Sequence, residues 1–433
     1  MKRLLYKNLL DWKQSGNRKP LLLQGARQVG KTWLIKQFGK TEYSDFVYVN
    51  LEENSDLKSI FKKNLNPEQL IENLGYYFGR KINGNDTLIF FDEIQEIPEA
   101  ITSLKYFYEQ APQYHIIAAG SLLGVTIGSG HSFPVGKVRF MTLYPLSFNE
   151  FLLATGNTIL AELLDEKPSG PLQEGIHNKL TELLKQYLFL GGMPEVISDF
   201  IKNRDIEKAR QIQIELLESV KRDFSKHTDK RQAIKTLEVW NSIPYQLARE
   251  SKKFKYNDVR KKARASYYEQ TIEWLKGAGL IYKITNISTG KLPLSGYANP
   301  SKFKIYLMDH GLLGAMLDIS PDIIISPDKF FKEYYGAFIE NYVASELIIS
   351  GITNLFYWSS NGMAEVDFVF QNNDKIIPLE VKSGTNRNLK SLRSFEQKNS
   401  PEIIVRTSPR NFEHRDNFYN IPLYWISKIK NLV

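Results

Sequence analysis

A short stretch near the start of the chain has residue types suited to binding phosphate. Residues 25–32 have the spacing G-x-x-x-x-G-K-T, which is typical of a phosphate-binding loop. Glycines at both ends let backbone N–H groups point at phosphate oxygens, while Lys31 can reach the β- and γ-phosphates and the Thr32 hydroxyl can ligate Mg²⁺. We predict a nucleotide site, with ATP and Mg²⁺ as cofactors, that is formed by Gly25, Ala26, Arg27, Gln28, Val29, Gly30, Lys31 and Thr32.

A second motif follows about sixty residues later. The apolar residues 88–91 predict a buried parallel strand, which ends in two acids, Asp92 and Glu93. Asp92 is placed to hold Mg²⁺, and Glu93 to polarise the water that attacks the γ-phosphate. A further predicted strand, residues 115–119, leads to Ser121, which either senses the γ-phosphate or belongs to a simple turn.

Composition restricts the class of protein. The chain has 433 residues, a net charge of +9 and no cysteine, so disulfides, thiolate zinc sites and iron–sulfur clusters are excluded. Charges interrupt the N-terminal residues too often for a signal peptide, and the charge-free span 110–136 contains prolines and glycines that do not suit a membrane helix. We therefore expect a cytoplasmic protein with no membrane partner. The positive charge favours DNA only weakly.

The elements around the two motifs alternate between strands and helices. Predicted strands at residues 21–23, 46–51, 88–91, 115–119 and 140–143, with helices between them, indicate a parallel sheet. Ser147 and Glu150 have the spacing of a capping box at the start of the next helix. A helical region then runs from residue 177 to about 239, interrupted at 191–194, and residues 165–175 are the best candidate for a linker.

These residues resemble those of a family of prokaryotic AAA-type ATPases whose C-terminal half is a domain of unknown function. The matching stretches are Gly25 to Thr32, Phe91-Asp92-Glu93, Leu143 to Phe151, Gly191-Gly192-Met193-Pro194-Glu195 and Glu380-Val381-Lys382-Ser383-Gly384. The resemblance covers nearly the whole chain and implies an ATP-hydrolysing core. Family members usually have Gly-Arg before the central signature, whereas this chain has Gly136-Lys137 and then Arg139. Arg139, or with less support Lys137, is thus the candidate arginine finger, which we expect a neighbouring subunit of a homo-oligomer to supply. The alternative is that Arg139 is a structural arginine at the start of a strand.

The middle of the chain predicts a winged helix. Residues 256–263, 266–280, 281–284 and 303–307 have the order helix, helix, strand, strand, and the second helix would be the recognition helix. Basic residues ahead of the second helix would approach DNA phosphate: Lys252, Lys253, Lys255, Arg260, Lys261, Lys262 and Arg264. The alternative is that these cations form a solvated face and that the winged helix contacts protein.

A third set of chemical residues lies near the C-terminus. Residues 364–370 and 376–382 predict two strands, on which alternation places Glu365 with Asp367 on one face, and Glu380 with Lys382 on one face. Asp367 and Glu380 could ligate Mg²⁺ or Mn²⁺, with Lys382 orienting the attacking water and Glu340 assisting from a preceding helix. The spacing resembles the restriction-endonuclease-like superfamily, named for its Asp and Asp/Glu-x-Lys signature. The alternatives are a charged surface hairpin and a nuclease fold that no longer cuts.

The sequence therefore predicts an α/β multidomain protein. We expect a P-loop NTPase core with a parallel sheet at 1–155, a helical region at 156–232, a winged helix at 233–315 and a restriction-endonuclease-like α/β domain at 316–433. The predicted catalytic residues are Glu93, Lys31, Arg139 and Lys382, and the predicted metal ligands are Thr32, Asp92, Glu340, Asp367 and Glu380. The predicted function is a DNA-associated ATPase with a nuclease-like domain. The alternatives are an ATP-controlled docking scaffold that never cuts and an ATP-driven remodeller of protein.

Overall fold

In the computed structural model, the apolar runs of the first third of the chain form strands. The structure describes residues 1–54, 56–121, 123–126, 133–168, 170–249, 252–320, 332–360, 364–384 and 388–432. The chain divides into two units. The N-terminal unit comprises residues 1–144 and 277–279, and the C-terminal unit comprises residues 145–276 and 280–433. Among the described residues, no helix is both long and apolar enough to cross a membrane.

The N-terminal unit is built on a sheet of five parallel strands in the order β2-β3-β4-β1-β5. This confirms the predicted parallel-sheet core. The strands are β1 (Leu21–Gln24), β2 (Asp45–Asn50), β3 (Thr87–Asp92), β4 (His115–Gly120) and β5 (Arg139–Thr142). The helices are α1 (Leu5–Gln14), α2 (Lys31–Glu42), α3 (Leu57–Lys63), α4 (Pro67–Phe78), α5 (Pro98–Gln110) and α6 (Leu123–Thr126), with a 3₁₀ turn at Ile94–Glu96.

Strand β3 shows why this sheet forms. All six of its residues are buried, so both of its faces are covered. Ile89 and Phe91 point to one face, where they share a hydrophobic cluster with Phe61 of α3 and Leu104 of α5. Because the strands are parallel, their carboxyl ends lie at one edge, and the loops that follow β1, β3 and β4 meet there.

The C-terminal unit combines helices with an eight-stranded mixed sheet in the order β12-β13-β11-β10-β9-β8-β6-β7. Its helices are α7 (Phe148–Ala154), α8 (Thr158–Asp165), α9 (Glu174–Leu190), α10 (Pro194–Asn203), α11 (Ile206–His227), α12 (Lys230–Leu247), α13 (Tyr256–Val259), α14 (Ala265–Gly277), α15 (His310–Met316), α16 (Lys332–Ile349), α17 (Lys390–Asn399) and α18 (Ile429–Leu432). Its strands are β6 (Ile281–Ile287), β7 (Ala298–Leu307), β8 (Phe356–Ser360), β9 (Ala364–Asn372), β10 (Lys375–Val381), β11 (Ile404–Ser408), β12 (Glu413–Arg415) and β13 (Phe418–Pro422).

The segment predicted as a winged helix has the expected order of elements, but its strands extend the larger sheet. Strands β6 and β7 pair antiparallel, and β6 also pairs in parallel with β8, with Thr285 opposite Phe356. Helix α13 is a single turn, because the backbone becomes extended at Arg260 and Lys262 adopts a positive φ of 64°. The hairpin therefore shares one sheet with the strands predicted to be nuclease-like.

The two central signature stretches, residues 143–151 and 191–195, contact each other at Leu146 and Gly192. Leu146 N donates to Gly192 O at 2.7 Å, and Gly192 N donates to Asp309 Oδ2 at 2.6 Å. Gly191 has a φ of +72°, and a Cβ there would lie 2.3 Å from Asp309 Oδ1. Only glycine fits at this crossing, so these stretches are explained by close packing at the start of α15.

A buried glutamate links helix α7 to α16. The predicted capping box of Ser147 and Glu150 is confirmed at the start of α7. Glu346 Oε1 accepts from Phe148 N at 2.8 Å and from the Tyr187 hydroxyl at 3.3 Å. Burial, with the nearby charge of Glu150, raises the pKa of Glu346 to about 7. The protonated carboxyl is therefore favoured in the folded state.

This pKa predicts how stability depends on pH. Between pH 4.5 and about 7 the folded protein holds a proton on Glu346 that the unfolded chain has lost, so the free energy of unfolding falls as pH rises across that window. The contribution is on the order of 3 kcal/mol. Glu346→Gln keeps an acceptor for Phe148 N but cannot titrate, and should show a flatter pH profile in urea unfolding followed by tryptophan fluorescence. Equal profiles for both proteins would contradict this assignment.

Candidate functional site

The phosphate-binding loop begins where β1 ends, and its shape requires glycine. Gly25 has a φ of +146°, and a Cβ there would lie 2.2 Å from Leu143 O. Gly30, with a φ of +93°, directly precedes α2. The loop thus joins a buried strand to a helix N-terminus, where N–H groups and the helix dipole favour an anion.

Lys31 lies inside this loop. Its side chain is buried, and Nζ donates to Gly25 O and Ala26 O, both at 2.8 Å. Burial lowers the pKa of Lys31 to about 8, although the charges of Glu93 and Asp92 oppose this shift. A bound phosphate would add negative charge to that of Glu93 and Asp92 and so favour the charged form of this buried ammonium.

Thr32 and Asp92 come from different elements and meet at the same edge of the sheet. Thr32 Oγ1 donates to Asp92 Oδ2 at 2.7 Å, and the Tyr48 hydroxyl donates to the same oxygen at 3.2 Å. Asp92 is only 3% exposed, and burial raises its pKa. A hydroxyl and a desolvated carboxylate in contact are oxygen ligands of the kind that Mg²⁺ prefers, so these residues fit that ion.

Glu93 follows β3 in a strained conformation. Its φ is 50° and its ψ is 46°, a left-handed backbone that non-glycine residues seldom adopt. Gln95 Nε2 donates to Glu93 Oε2 at 2.7 Å and so fixes the carboxylate beside the strand end. Strain of this kind persists only where the surroundings enforce it, and it is often found at functional sites.

The loop after β4 contributes Ser121. Arg27 Nε, from the phosphate-binding loop, donates to Ser121 Oγ at 3.3 Å. Since β4 lies between β1 and β3 in the sheet, Ser121 belongs to the same edge as the residues of the other two loops. The structure therefore brings together the residues predicted for nucleotide binding and for the Asp-Glu strand end.

Three further residues that support this site were missed in the sequence. Arg3 donates to Val29 O at 2.8 Å and to Tyr144 O at 2.5 Å, which ties the loop to the chain after β5. The other two are Tyr48 and Gln95, described above. No local pattern marks them, because each acts on a partner that only the folded sheet brings near.

The candidate finger residues lie elsewhere in the N-terminal unit. Arg139 is exposed and pairs in register with Leu21, at the amino end of β1, whereas the phosphate-binding loop follows the carboxyl end. Lys137 forms an ion pair with Glu109 at 3.0 Å. Arg139 therefore lies away from the loop of its own chain, while Lys137 already has a partner.

The C-terminal unit gathers the predicted carboxylates from three elements. Glu365 and Asp367 come from β9, Glu380 from β10 and Glu340 from α16. Asp367 Oδ2 accepts from Val381 N at 2.8 Å, which fixes it beside β10. Burial, together with the charges of Glu340 and Glu380, raises the pKa of Asp367 well above its usual value.

Lysines accompany these acids. Lys382, which directly follows β10, donates from Nζ to Glu380 Oε1 at 2.5 Å, in agreement with the prediction that these two side chains share one face. Lys252 donates to Glu340, and Lys253 Nζ lies 3.5 Å from Glu365 Oε2. Although burial opposes the change, the charges of Lys252 and Lys304 lower the pKa of Glu340.

Lys304 of β7 lies at the centre of this group. Its side chain is 0% exposed, and Nζ lies 2.7 Å from Glu365 Oε1, 3.7 Å from Glu340 Oε2 and 4.0 Å from Asp367 Oδ1. We call Lys304 and the carboxylates of Glu340, Glu365, Asp367 and Glu380 the lysine-centred cluster. Neither Lys252 nor Lys304 was recognised in the sequence as part of this group, because both precede the C-terminal motifs by many residues.

The predicted C-terminal metal ligands do not fit a divalent cation in this arrangement. In the ranges that the structure describes, no group of three or more His, Cys, Asp or Glu side chains could hold a metal ion. The physical reason is that ammonium groups already lie against Glu340, Asp367 and Glu380. This arrangement disfavours the expectation that these three carboxylates converge on Mg²⁺ or Mn²⁺, which stays a prediction.

Comparison with known proteins agrees with the N-terminal site. Residues 17–152 match the model of a family described as AAA domain. Residues 181–323 and 335–426 match two domains of unknown function, DUF8612 and DUF4143. A search of curated proteins gave no match.

A search of solved structures gave matches to proteins of several organisms, three of which are described below. A Walker-type ATPase of Pyrococcus abyssi is 14% identical, with 73% of this chain and 95% of that chain covered and a TM-score of 0.46. The Orc1 protein of Aeropyrum pernix, solved with DNA, is 13% identical, with coverage of 73% and 90% and a TM-score of 0.31. The RuvB Holliday junction branch migration motor of Thermotoga maritima is 14% identical, with coverage of 65% and 89% and a TM-score of 0.29.

TM-scores of this size carry no functional argument, so the assignment depends on the AAA domain match and on the geometry of the loop. Both concern the N-terminal unit, and they agree on the residues involved. The N-terminal unit thus contains a P-loop ATPase domain of the AAA type.

Proposed function

We propose that this chain is a Mg²⁺-dependent ATPase that acts in association with DNA and completes its nucleotide sites between subunits. The observation that carries the proposal is the contact of Thr32 Oγ1 with Asp92 Oδ2, at 2.7 Å, beside the buried Lys31. These are the side chains that a nucleotide with its metal ion needs in P-loop ATPases.

Each residue has a separate role in the proposed reaction. Lys31 binds the β- and γ-phosphates, and Thr32 and Asp92 would hold Mg²⁺, which when bound offsets charge on the phosphate oxygens. Glu93 orients and deprotonates the attacking water, and Gln95 keeps its carboxylate in place. Ser121 contacts the γ-phosphate from the end of β4.

Two substitutions separate binding from hydrolysis. Lys31→Ala should abolish tight binding of a fluorescent ATP analogue, because the buried counter-charge is lost. Glu93→Gln should keep binding and lower the turnover rate about a hundredfold or more, as expected for loss of a general base. Lys40→Ala on the exposed side of α2, and Glu96→Gln three residues beyond Glu93, are the matched controls.

Both control variants should behave as wild type. If Lys31→Ala and Glu93→Gln both hydrolyse ATP at the wild-type rate, the proposed nucleotide site is wrong. Turnover that persists after Mg²⁺ is chelated would contradict the metal dependence.

The proposed DNA contact lies on the segment between α13 and α14. Lys252 and Lys253 are engaged with Glu340 and Glu365, so they do not contribute. The exposed cations that remain are Lys255, Arg260, Lys261, Lys262 and Arg264. The exposed side of α14 carries Glu269 and Glu273, which would repel phosphate. We therefore propose that the basic segment before α14 contacts the DNA phosphates and that α14, the predicted recognition helix, positions this segment.

Charge reversal in this segment tests the DNA contact. The double variant Lys261→Glu/Arg264→Glu should weaken binding to a DNA duplex, and each lost phosphate contact should lower the slope of log affinity against log salt by about 1. Lys179→Glu/Lys202→Glu makes the same change of charge at exposed positions of α9 and α10 and should bind as wild type. Equal weakening in both pairs would indicate a general charge effect, and no weakening in either would contradict a contact here.

Arg139 is the proposed finger, contributed to the nucleotide site of a neighbouring subunit. Its exposure and its place at the amino end of β5 support this role, and the ion pair of Lys137 with Glu109 disfavours the alternative. Arg139→Ala should lower the turnover rate on the order of a thousandfold, whereas Lys137→Ala should have little effect.

A mixing experiment distinguishes a finger in trans from one in cis. Arg139→Ala and Lys31→Ala proteins should each be inactive alone. Mixed oligomers should recover part of the activity, because some sites combine the intact Lys31 of one subunit with the intact Arg139 of another. No recovery in oligomers shown to mix would contradict sharing between subunits.

The C-terminal unit has two candidate functions. One is the nuclease-like domain that was predicted from Asp367, Glu380 and Lys382. The division into four domains, with a separate winged helix, also stays a prediction. The lysine-centred cluster favours the alternative, a domain that binds a partner without cutting, because its carboxylates are neutralised by lysines. Incubating the protein with linear, nicked and branched DNA and Mg²⁺ or Mn²⁺ decides between them. A nuclease would cut at least one of these DNAs, and Asp367→Ala would abolish the cleavage. A domain that does not cut would show no such Asp367-dependent cleavage.

A further inference from the structure

Lys304 has surroundings that resemble those of a bound cation. Its Nζ lies within 4.0 Å of carboxylates from Glu340, Glu365 and Asp367, which come from helix α16 and strand β9. The side chain is 0% exposed. Carboxylates from separate elements that surround one buried positive charge form the pattern expected around a metal ion.

The contacts of Lys304 are ionic rather than directed. Among the described residues Nζ has no hydrogen-bond partner of acceptable geometry, although it lies 2.7 Å from Glu365 Oε1. Glu380 Oε2 is likewise buried without a partner. The ammonium of Lys304 therefore acts as a point charge that neutralises the neighbouring carboxylates, as a simple cation would in the same place. Within the described part of the chain, Glu380 Oε2 accepts no hydrogen bond there.

The environment fixes Lys304 in this position. Asn341, next to Glu340 on α16, donates to Leu307 O at 3.0 Å and accepts from Leu307 N at 2.7 Å, which holds the end of β7 against the helix. The Tyr306 hydroxyl donates to Glu340 Oε2 at 3.1 Å. Lys304 is therefore held beside Glu340 because its own strand, β7, is hydrogen-bonded to α16.

We propose that Lys304 is a resident cation that holds the place of a divalent metal ion, so that the C-terminal unit keeps its carboxylates together without metal. This deepens the proposal of a non-cutting C-terminal unit. Among the lysines that lie against these acids, it assigns to Lys304, the central one, the main opposition to a metal ion.

Removing the lysine should create a metal site. Lys304→Met has a similar length and no charge, and should bind Mn²⁺ tighter than wild type by about tenfold or more, because a repulsive charge at the centre of the acids is lost. Binding is measured by electron paramagnetic resonance of Mn²⁺, without nucleotide and in an Asp92→Ala background that removes the other metal ligand set. Mn²⁺ should also raise the melting temperature of the variant and leave that of the parent unchanged.

The controls isolate the position of the charge. Lys283→Met removes a lysine of β6 that pairs with Glu273 away from the cluster, and should gain no Mn²⁺ binding. Asp367→Asn/Glu380→Gln added to Lys304→Met should abolish the gain. ATP-analogue binding by Lys304→Met in the Asp92-intact background reports on the N-terminal unit, so failure of the ATPase proposal is seen separately.

Two results would overturn the proposal. One is saturable Mn²⁺ binding by the parent protein that Asp367→Asn/Glu380→Gln removes, since the site would then take metal beside Lys304. The other is a Lys304→Met protein that gains no Mn²⁺ binding. If the variant does not fold without metal, refolding in Mn²⁺ gives the same test, and failure to recover any folded protein there also counts against the proposal.

Discussion

A buried charge must be balanced where it lies, and in the C-terminal unit this constraint falls on Lys304. Desolvating an ammonium is costly unless carboxylates surround it, and removing one member of such a group typically costs about 3–5 kcal/mol. The partners of Lys304 are on β9 and α16, so neutrality is reached only when β7, β9 and α16 are assembled. The β6–β7 hairpin therefore belongs to the same sheet as β9.

The N-terminal unit is organised by a steric constraint instead. Gly25 leaves β1 so close to Leu143 O that no side chain fits. This turn directs the loop across the carboxyl edge of a parallel sheet, where the ends of β3 and β4 already lie. Lys31, Asp92 and Ser121 meet there although about ninety residues separate the first from the last. The chemistry of this site follows from strand order and one turn.

This difference explains how far the sequence could be interpreted. Strands β1 to β5 and the capping box at Ser147 were predictable, because hydrophobic runs and local hydrogen bonds mark them. Glu93 and Thr32 could be identified because short motifs fix their places beside the strand ends. Lys304 could not, since nothing near it in the chain indicates the acids it meets. A lysine in an alternating strand ordinarily faces solvent, and only the tertiary fold buries this one.

The same reasoning applies to the central signature stretches. Their residues could have been taken for a catalytic or binding motif, yet the approach of Asp309 requires glycine at 191 and the approach of Leu146 O requires glycine at 192. Gly192 N also donates to Asp309 Oδ2, and Leu146 N donates to Gly192 O. Glu346 closes this junction from α16, the helix that also carries Glu340. One helix thus contacts the signature stretches at one position and the lysine-centred cluster less than two turns earlier. Both sets of contacts therefore depend on where α16 lies within the C-terminal unit.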